Sequence, residues 1–211
     1  MGTGLRERQK LARHERIVTA AIDLFVEQGF DAVRVVDVAE AAEVSPGTVY
    51  NYFPTKEDLV FGGSRAFEQE LVDTLASRPA QVPLLDAFRR FSIRVRGALA
   101  QQDQAPIQAI ARHAQVIAGS PALQLRARQN FDRCTERVAE LIIAERGAAV
   151  TSAQAWVIAN AMIGVTQTMQ NIVHRLAIAD RPVTEIATMV IEEGRRALDQ
   201  LEAGIGESQL T

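Results

Sequence analysis

The chain has a single cysteine, Cys134, so it cannot form an intramolecular disulfide. No run approaches the roughly 18 apolar residues of a membrane span, and the polar N-terminal residues lack the apolar stretch of a secretory signal. We therefore expect neither a disulfide-stapled secreted domain nor a membrane protein, but a soluble cytoplasmic one. Its 211 residues, 47% of them hydrophobic, can bury a core without a metal or a disulfide.

Residue patterns for catalysis are also missing. His14, His113 and His174 lie far apart, no Glu-x-x-His pair supports a di-iron bundle, and no glycine-rich loop fits a nucleotide. We expect no enzymatic activity, no cofactor and no metal. Cys134 shares helical spacing with Ala127, Phe131, Val138 and Leu141. This spacing favours a buried core thiol over a nucleophile or a sensor.

Lysine is scarce, and positive charge is concentrated near the N-terminus. Residues 1–60 hold seven basic against ten acidic side chains, so this segment is not basic overall. Within the first sixteen residues, five basic side chains outnumber two acidic ones. The basic residues are Arg6, Arg8, Lys10, Arg13 and Arg16. Residues 1–12 are interpreted as a flexible basic arm that reaches phosphates, the alternative being a solvated tail.

Strand patterns are absent, because apolar residues recur at spacings of three and four instead of alternating. The pattern predicts an all-α chain of nine helices, the first of which stops at Gly29. The others are predicted at about 35–42, 45–53, 56–77, 82–101, 105–118, 121–146, 151–179 and 183–203. We expect a domain over residues 13–60, a second over 61–203 and a disordered tail over 204–211.

Residues 45–53 form the most informative segment. Ser45 can cap a helix through its hydroxyl, and Pro46 suits the first helical position. Only Val49 and Phe53, four residues apart, need to face a core. The remaining side chains can point outward, as expected of a helix that enters a DNA groove. An ordinary capped surface helix is the alternative interpretation.

Three segments in order resemble the tetracycline-repressor family of bacterial regulators. They are Gly29-Phe30-Asp31-Ala32, then Val38-Ala39-Glu40-Ala41-Ala42, then Ser45-Pro46-Gly47-Thr48-Val49-Tyr50-Asn51-Tyr52-Phe53-Pro54-Thr55-Lys56. The resemblance covers residues 13–60; residues 61–211 match only in the number and length of helices. It implies a homodimer whose N-terminal helix-turn-helix domains bind a palindromic operator and release it when a small molecule occupies the C-terminal domain.

The resemblance also implies which residues contact DNA. Lys56 matches the family's phosphate-binding lysine, and Asn51 could pair with adenine. The expected DNA contacts are Arg34, Val35, Ser45, Pro46, Gly47, Thr48, Tyr50, Asn51, Tyr52 and Lys56.

Two residues depart from the family pattern. Arg34 replaces a threonine that usually caps the second helix, and an arginine cannot supply that cap, although it could contact a phosphate. Glu43 replaces a glycine common in the turn. Either Glu43 keeps a positive φ and is strained, or the turn has changed shape.

Aromatic side chains of the second domain suggest a site for a small, moderately apolar effector. The expected lining is Phe67, Leu71, Phe88, Phe91, His113, Phe131, Trp156 and Asn160. Trp156 and Asn160 belong to a polar stripe of the eighth helix that could line this pocket or border a dimer interface.

Small residues along the last two helices predict close helix approach between two copies. The expected interface is Ala161, Val165, Thr168, Ile172, Ala187, Val190, Gly194 and Ala197. Alternatively, these stripes pack on the core of the same chain.

The leading hypothesis is therefore a ligand-responsive repressor. One alternative is a DNA-binding activator or a chromosome-organising protein without an effector. A second alternative is a helical small-molecule carrier or enzyme whose N-terminal helices are merely structural.

Overall fold

The computed structural model describes residues 3–94 and 105–205, and within these ranges it is all-α. Nine α-helices and one 3-10 turn occur there, as the apolar spacing predicts. The helices are α1 (Thr3–Gln28), α2 (Val35–Ala41), α3 (Pro46–Tyr52), α4 (Asp58–Ala76), α5 (Leu84–Ile93), α6 (Ala105–Ala118), α7 (Pro121–Arg146), α8 (Ser152–Ile178) and α9 (Val183–Ile205). The 3-10 turn spans Gly147–Ala149.

The chain divides into two compact units. The first contains the described residues up to Arg65 together with Arg112–Ala127, and the second contains the described parts of Ala66–Ala111 and Arg128–Thr211. The sequence predicts one boundary near residue 60 and a second domain over residues 61–203. Residues 112–127 belong to the first unit because Val116 and Leu123 are buried in its core.

Local capping sets several helix ends. Gly29 follows α1 with φ +84°, and its N–H donates to the Phe25 carbonyl at 3.0 Å, as the sequence predicts for a stop residue. Before α4, the Asp58 N–H donates to the Thr55 hydroxyl at 3.3 Å, and the Thr55 N–H donates to the Asp58 carboxylate at 3.1 Å. This reciprocal pair is the predicted capping box, and α4 begins at Asp58, two residues later than predicted.

The core of the first unit follows the predicted faces of α1 and α2. Ile17, Ala21 and Phe25 are buried on α1, and Val38 and Ala39 are buried on α2. Burying a valine, isoleucine or phenylalanine side chain stabilises a fold by about 1.5 to 3 kcal/mol, so Ile17, Phe25 and Val38 contribute most of the stabilisation from these two faces.

The second unit is built around a larger apolar cluster that includes Phe88, Met162 and Ile186. Cys134 lies in this cluster, which confirms its interpretation as a core thiol. Burial, with a smaller contribution from Glu68, raises the pKa of the Cys134 thiol to about 12. The neutral thiol therefore persists at physiological pH.

Three predicted segment ends differ from the structure or lie beyond it. The basic segment expected to be a flexible arm is helical from Thr3, continuous with α1. The fifth helix, predicted to reach residue 101, ends at Ile93 because Arg94 has extended backbone, and residues 95–101 lie outside the described ranges. Helix α9 continues to Ile205, and residues 206–211 of the predicted tail are not described.

Candidate nucleic-acid interface

A tight turn joins α2 to α3. The Ala42 N–H donates to the Val38 carbonyl at 2.9 Å, and the Val44 N–H donates to the Ala39 carbonyl at 2.9 Å. Glu43 lies between them with φ +52°. Of the two alternatives for this position, the structure has the first: the turn keeps its left-handed residue, and Glu43 adopts a conformation that glycine adopts at less cost.

Helix α3 is capped as the sequence predicts. The Thr48 N–H donates to the Ser45 Oγ at 3.2 Å, and the two hydroxyls of these residues lie 2.8 Å apart. Pro46 occupies the first turn, where its missing N–H leaves no carbonyl unpaired. The helix ends at Tyr52, since Phe53 has extended backbone. Seven residues are thus fixed as a helix despite their shortness.

One side of α3 is buried and the other faces outward. Val49 is fully buried and Phe53 nearly so, which fixes the rotation of the helix about its axis. Tyr50 is 52% exposed, and Gly47 and Asn51 are also exposed. The exposed side thus carries a hydroxyl, an amide and an unobstructed stretch of backbone, which are the groups that read base edges and phosphates.

Gly47 is not required by the fold. Its φ is not positive, and a Cβ added there would meet only the Ser45 Oγ, at 4.0 Å. Since glycine in a helix costs roughly 0.5 to 1 kcal/mol relative to alanine, folding stability would favour a larger residue. The missing side chain instead leaves room outside the protein.

Tyr52 is half-buried against α1. Its ring centroid lies 6.2 Å from that of His14, and the Phe53 centroid lies 4.8 Å from His14. These contacts fix the C-terminal end of α3 against α1. The sequence predicts Tyr52 as a DNA contact but does not predict its pairing with His14. The two residues lie 38 apart in the chain, and a contact over this separation leaves no local sequence pattern.

Lys56 lies in the turn before α4 and is held by aromatic rings. Its Nζ is 4.3 Å from the centroid of the Phe30 ring and 5.8 Å from that of Phe25. Nζ also donates to the Asp31 carbonyl at 3.5 Å. Burial lowers the pKa of Lys56, while the carboxylates of Asp31, Glu57 and Asp37 raise it. The ammonium group is therefore oriented beside the N-terminus of α4, where an anion is also favoured.

Arg34 precedes α2 and, as expected, supplies no side-chain cap. Asp37 makes the other half of a capping box, because its carboxylate accepts the Arg34 backbone N–H at 2.8 Å. The guanidinium of Arg34 also donates to this carboxylate, at 2.7 Å from Nη2 and 3.1 Å from Nε. Hydrogen bonding to Arg34 lowers the pKa of Asp37. Asp37 was not among the residues predicted from the sequence, although its spacing from Arg34 is that of a capping box.

The two valines after Arg34 have different surroundings. Val35, which the sequence predicts at the interface, packs partly against the core of the first unit. Its neighbour Val36 is 45% exposed and is the large apolar side chain that α2 offers to solvent.

Comparison with known proteins agrees with this geometry. The family model described as "Bacterial regulatory proteins, tetR family" matches residues 17–61, which contain α1 from Ile17 onward, α2 and α3. The HTH-type transcriptional regulator TcmR of Streptomyces glaucescens is 32% identical over 151 residues, covering 69% of this chain and 66% of TcmR. The chain belongs to the TetR family of bacterial regulatory proteins.

Two further proteins extend the comparison. The HTH-type transcriptional repressor KstR of Rhodococcus jostii is 39% identical over 67 residues, covering 32% of this chain and 31% of KstR. The matches thus span less than two thirds of TcmR and of KstR. SmeT, the repressor of a Stenotrophomonas maltophilia multidrug efflux pump, has the same fold, with a TM-score of 0.51 at 15% identity over 94% of this chain and 93% of SmeT.

The residues predicted to line an effector site in this TetR-family chain are distributed over both units. Five belong to the apolar cluster of the second unit or pack against it: Phe67, Leu71, Phe88, Phe91 and Phe131. The rings of Phe67 and Phe91 lie 5.5 Å apart. His113 lies instead in the first unit, where its Nε2 is 2.6 Å from the Val60 carbonyl oxygen. Trp156 is 42% exposed, and the exposed Asn160 donates to the Trp156 carbonyl at 2.8 Å.

A shallow groove of about 390 Å³ lies elsewhere on the second unit. It is lined by Pro182, Thr184, Glu185, Thr188, Met189 and Glu192. None of these residues is among those predicted to bind an effector. Two glutamates and an open surface do not suit an apolar ligand, so the groove is not a candidate for the effector site.

The residues predicted for a dimer interface fall into two groups. Val165, Ile172, Val190 and Gly194 are buried within the chain. A Cβ added at Gly194 would lie 2.8 Å from the Met169 Cε, so this glycine lets α9 approach α8 of the same chain. Ala161, Ala187 and Ala197 are half-buried, and Thr168 is exposed.

None of the helices described here is long and apolar enough to cross a membrane. Over residues 3–94 and 105–205, no group of three histidine, cysteine or acidic side chains could hold a metal ion.

Proposed function

We propose that this TetR-family chain is a ligand-responsive transcriptional repressor that binds a palindromic operator as a homodimer and leaves it when a small, moderately apolar effector binds. The observation that carries the proposal is α3 itself. Its N-terminus is capped by Ser45, its inner side is fixed by Val49, and its outer side offers Gly47 and Tyr50. The similarity to TcmR, a transcriptional regulator, and to KstR, a transcriptional repressor, supports this function.

A dimer fits the outward side of α8 better than the buried stripe. On a helix with 100° per residue, Trp156, Val157, Ala161, Thr168 and Ile178 fall within an arc of about 140°. Trp156, Val157 and Ile178 are 42%, 68% and 44% exposed. Exposed large apolar side chains on one helix face are typical of an interface, and the face includes two of the predicted residues, Ala161 and Thr168. Trp156 and Asn160 are then interface residues and do not line the effector site.

An effector fits the aromatic cluster of the second unit. Phe67 and Phe91 pack there beside the buried Phe88 and Leu71. The hydroxyls of Ser92 and Thr166 are buried in this unit without a hydrogen-bond partner among the described residues. A buried hydroxyl without a partner costs about 1 to 3 kcal/mol. A ligand that reached either hydroxyl would need a polar atom to pair with it, beside an otherwise apolar body.

Selection of duplexes from random DNA tests operator binding. We expect recovery of a palindrome whose half-sites lie about 34 to 36 Å apart or a multiple of one helical turn. Tyr50→Ala and Thr48→Ala should lower the affinity for this site by about 1 to 3 kcal/mol, whereas Lys56→Ala should weaken all sequences alike. Thr19→Ala, at an exposed position of α1, is the matched control and should bind as the wild type does. Failure to select any sequence would favour a carrier or enzyme.

Sedimentation tests the dimer. Thr168→Arg should convert dimers to monomers, while Gln129→Arg, at an exposed position of α7, should not.

Operator titrations with candidate effectors test the switch. Reversing a 99:1 preference requires roughly 5.5 kcal/mol of differential ligand affinity, so a true effector shifts the operator affinity by orders of magnitude. Operator binding that no ligand of the second unit changes would favour an activator or a chromosome-organising protein.

A further inference from the structure

The first three turns of α1 project from the first unit without packing partners. All side chains from Arg6 to Arg13 are exposed, and the first buried residue of the helix is Ile17. An isolated helical segment of this length is marginal in water, because packing supplies most helix stability in proteins. The segment therefore gains most from a partner outside the chain.

Basic side chains on this segment form a stripe. At 100° per residue, Arg6, Lys10 and Arg13 fall within an arc of about 60° that also contains Ile17. No acidic residue of the segment lies in that arc. The opposite side is mixed, since Arg8 and Glu15 lie about 20° apart there. We name Arg6, Lys10 and Arg13 the α1 stripe.

The α1 stripe is not engaged within the chain. No side-chain hydrogen bond or ion pair in the described structure involves Arg6, Lys10 or Arg13, whereas Arg34, Arg78 and nearly all other paired arginines hold carboxylates. Arg8, on the other side, donates from its Nε to the Gly4 carbonyl at 3.1 Å. Three cations on one helix face without counter-charges match a polyanion with regularly spaced charges.

The direction of the stripe is set by His14. This residue follows Arg13, lies about 40° outside the arc of the stripe, and contacts the rings of Tyr52 and Phe53 at the C-terminal end of α3. The stripe thus begins one residue from a contact with the helix that carries the proposed base-reading groups. From Arg6 to His14 the helix rises about 12 Å, which corresponds to three or four base pairs.

From this geometry we infer a second DNA contact: the α1 stripe binds backbone phosphates that flank each half-site, and it extends the footprint by three or four base pairs beyond that of the helix-turn-helix. The inference rests on the proposed function, since it names a further contact of the same DNA surface. The contact is sequence-independent, because guanidinium and ammonium groups bind phosphate without reading bases. The contact raises the affinity for DNA and the salt dependence of that affinity, but it does not restrict which operator sequences are bound.

Two charge-matched variants test this contact in the full chain. Arg6→Gln with Lys10→Gln removes two cations from the stripe, and Arg8→Gln with Arg16→Gln removes two from outside it. Glutamine keeps the helix propensity, and circular dichroism checks the fold. On the selected operator with native-length flanks, the stripe variant should lower the slope of log K against log salt by about two per protomer. The other variant should change the slope by less than about half a unit.

Hydroxyl-radical footprints give a second readout. The stripe variant should lose protection over the outer three or four base pairs on each side and keep the protection at the half-sites. Equal effects of both variants would overturn the inference, because the two faces of α1 would then contribute alike to DNA binding. An unchanged salt slope and an unchanged footprint in the stripe variant would also overturn the inference. In that case, binding of anionic phosphatidylglycerol vesicles by the wild type and not by the stripe variant would show that the stripe serves a membrane surface. Wild-type protein that binds no duplex would reject the proposed function itself, which is a different result.

Discussion

The ammonium nitrogen of Lys56 lies 4.3 Å from the centroid of the Phe30 ring. Phe30 is nearly fully buried, and its ring also packs against that of Phe25 at 5.0 Å. The core of the first unit therefore fixes the position of the one lysine expected to hold a phosphate. This arrangement lowers the entropy that Lys56 must lose on binding, because its side chain is already ordered.

Phe30→Leu should release Lys56 while keeping an apolar residue in the core. Loss of a cation–π contact of about 0.5 to 1 kcal/mol corresponds to a two- to fivefold loss of affinity for any duplex. The effect should vanish in a Lys56→Ala background, which a double-mutant cycle on a fixed operator measures. Phe61→Leu alters another buried phenylalanine of the same core and should lower stability without lowering affinity. Additive losses from Phe30→Leu and Lys56→Ala would contradict the coupling.

Gly47→Ala should separate stability from binding. A Cβ at this position meets nothing closer than 4.0 Å in the free protein, so alanine should raise the free energy of unfolding by roughly 0.5 to 1 kcal/mol. In the proposed complex this methyl group would separate the backbone of α3 from DNA, so operator affinity should fall by about tenfold or more, within the roughly 1 to 3 kcal/mol of a lost base contact. Gly63→Ala in α4, where a Cβ also meets nothing within 4 Å, should give the stability gain alone. Chemical denaturation and operator titrations on the three proteins check this. Unchanged affinity of Gly47→Ala would place α3 outside the groove.

Asp37→Asn should free the guanidinium of Arg34. Two of its nitrogens are held by the Asp37 carboxylate, at 2.7 and 3.1 Å, and this hydrogen bonding raises the pKa of Arg34 further above its usual value. Without the carboxylate, Arg34 gains the freedom to bind a phosphate, and the salt slope of DNA binding should steepen by about one unit per protomer. Adding Arg34→Gln should abolish the gain. The salt slopes of the single and double variants are measured on nonspecific DNA. A slope of Asp37→Asn that stays at the wild-type value would contradict the idea that Asp37 keeps Arg34 from binding phosphate.

The same ion pair also gives a pH dependence. Because Arg34 holds the pKa of Asp37 below its usual range, the capping carboxylate stabilises the fold above the pKa of the unfolded chain. That stabilisation is lost as the pH falls through the lower pKa of the folded state. The acid limb of a stability curve should therefore flatten in Asp37→Asn relative to the wild type.

What the sequence could predict depends on how far apart the interacting residues lie. The caps at Ser45 and Thr55 and the stop at Gly29 act within four residues, so their residue types and spacing were sufficient. The contact of His14 with Tyr52 joins residues 38 apart and left no local pattern. Val165 and Ile172 are buried within the chain. The spacing of small residues could not distinguish this from burial between two copies, because helices that pack within a chain and helices that pack between chains need the same periodicity.

The division into units shows the same limit. Residues 112–127 span the end of α6 and the start of α7, and they carry ordinary apolar spacing. Only the tertiary arrangement places Val116 and Leu123 in the core of the first unit. Asp37 is a different case. Its spacing from Arg34 is that of a capping box, but an arginine at the cap position does not belong to the usual motif, so the pair was not predicted.

Glu43→Gly should stabilise the first unit. Glu43 has φ +52°, a region that costs a residue with a Cβ about 1 to 2 kcal/mol and glycine almost nothing. Part of this gain is offset because glycine increases the entropy of the unfolded chain, so we expect a net rise of about 0.5 to 1 kcal/mol in the free energy of unfolding. Glu40→Gly, three residues earlier in the helical part of α2, should instead lower it by about 1 kcal/mol. Urea denaturation of both variants measures the contrast, and operator affinity should stay constant in Glu43→Gly because the turn keeps its shape. If both substitutions destabilise the fold alike, Glu43 is not strained.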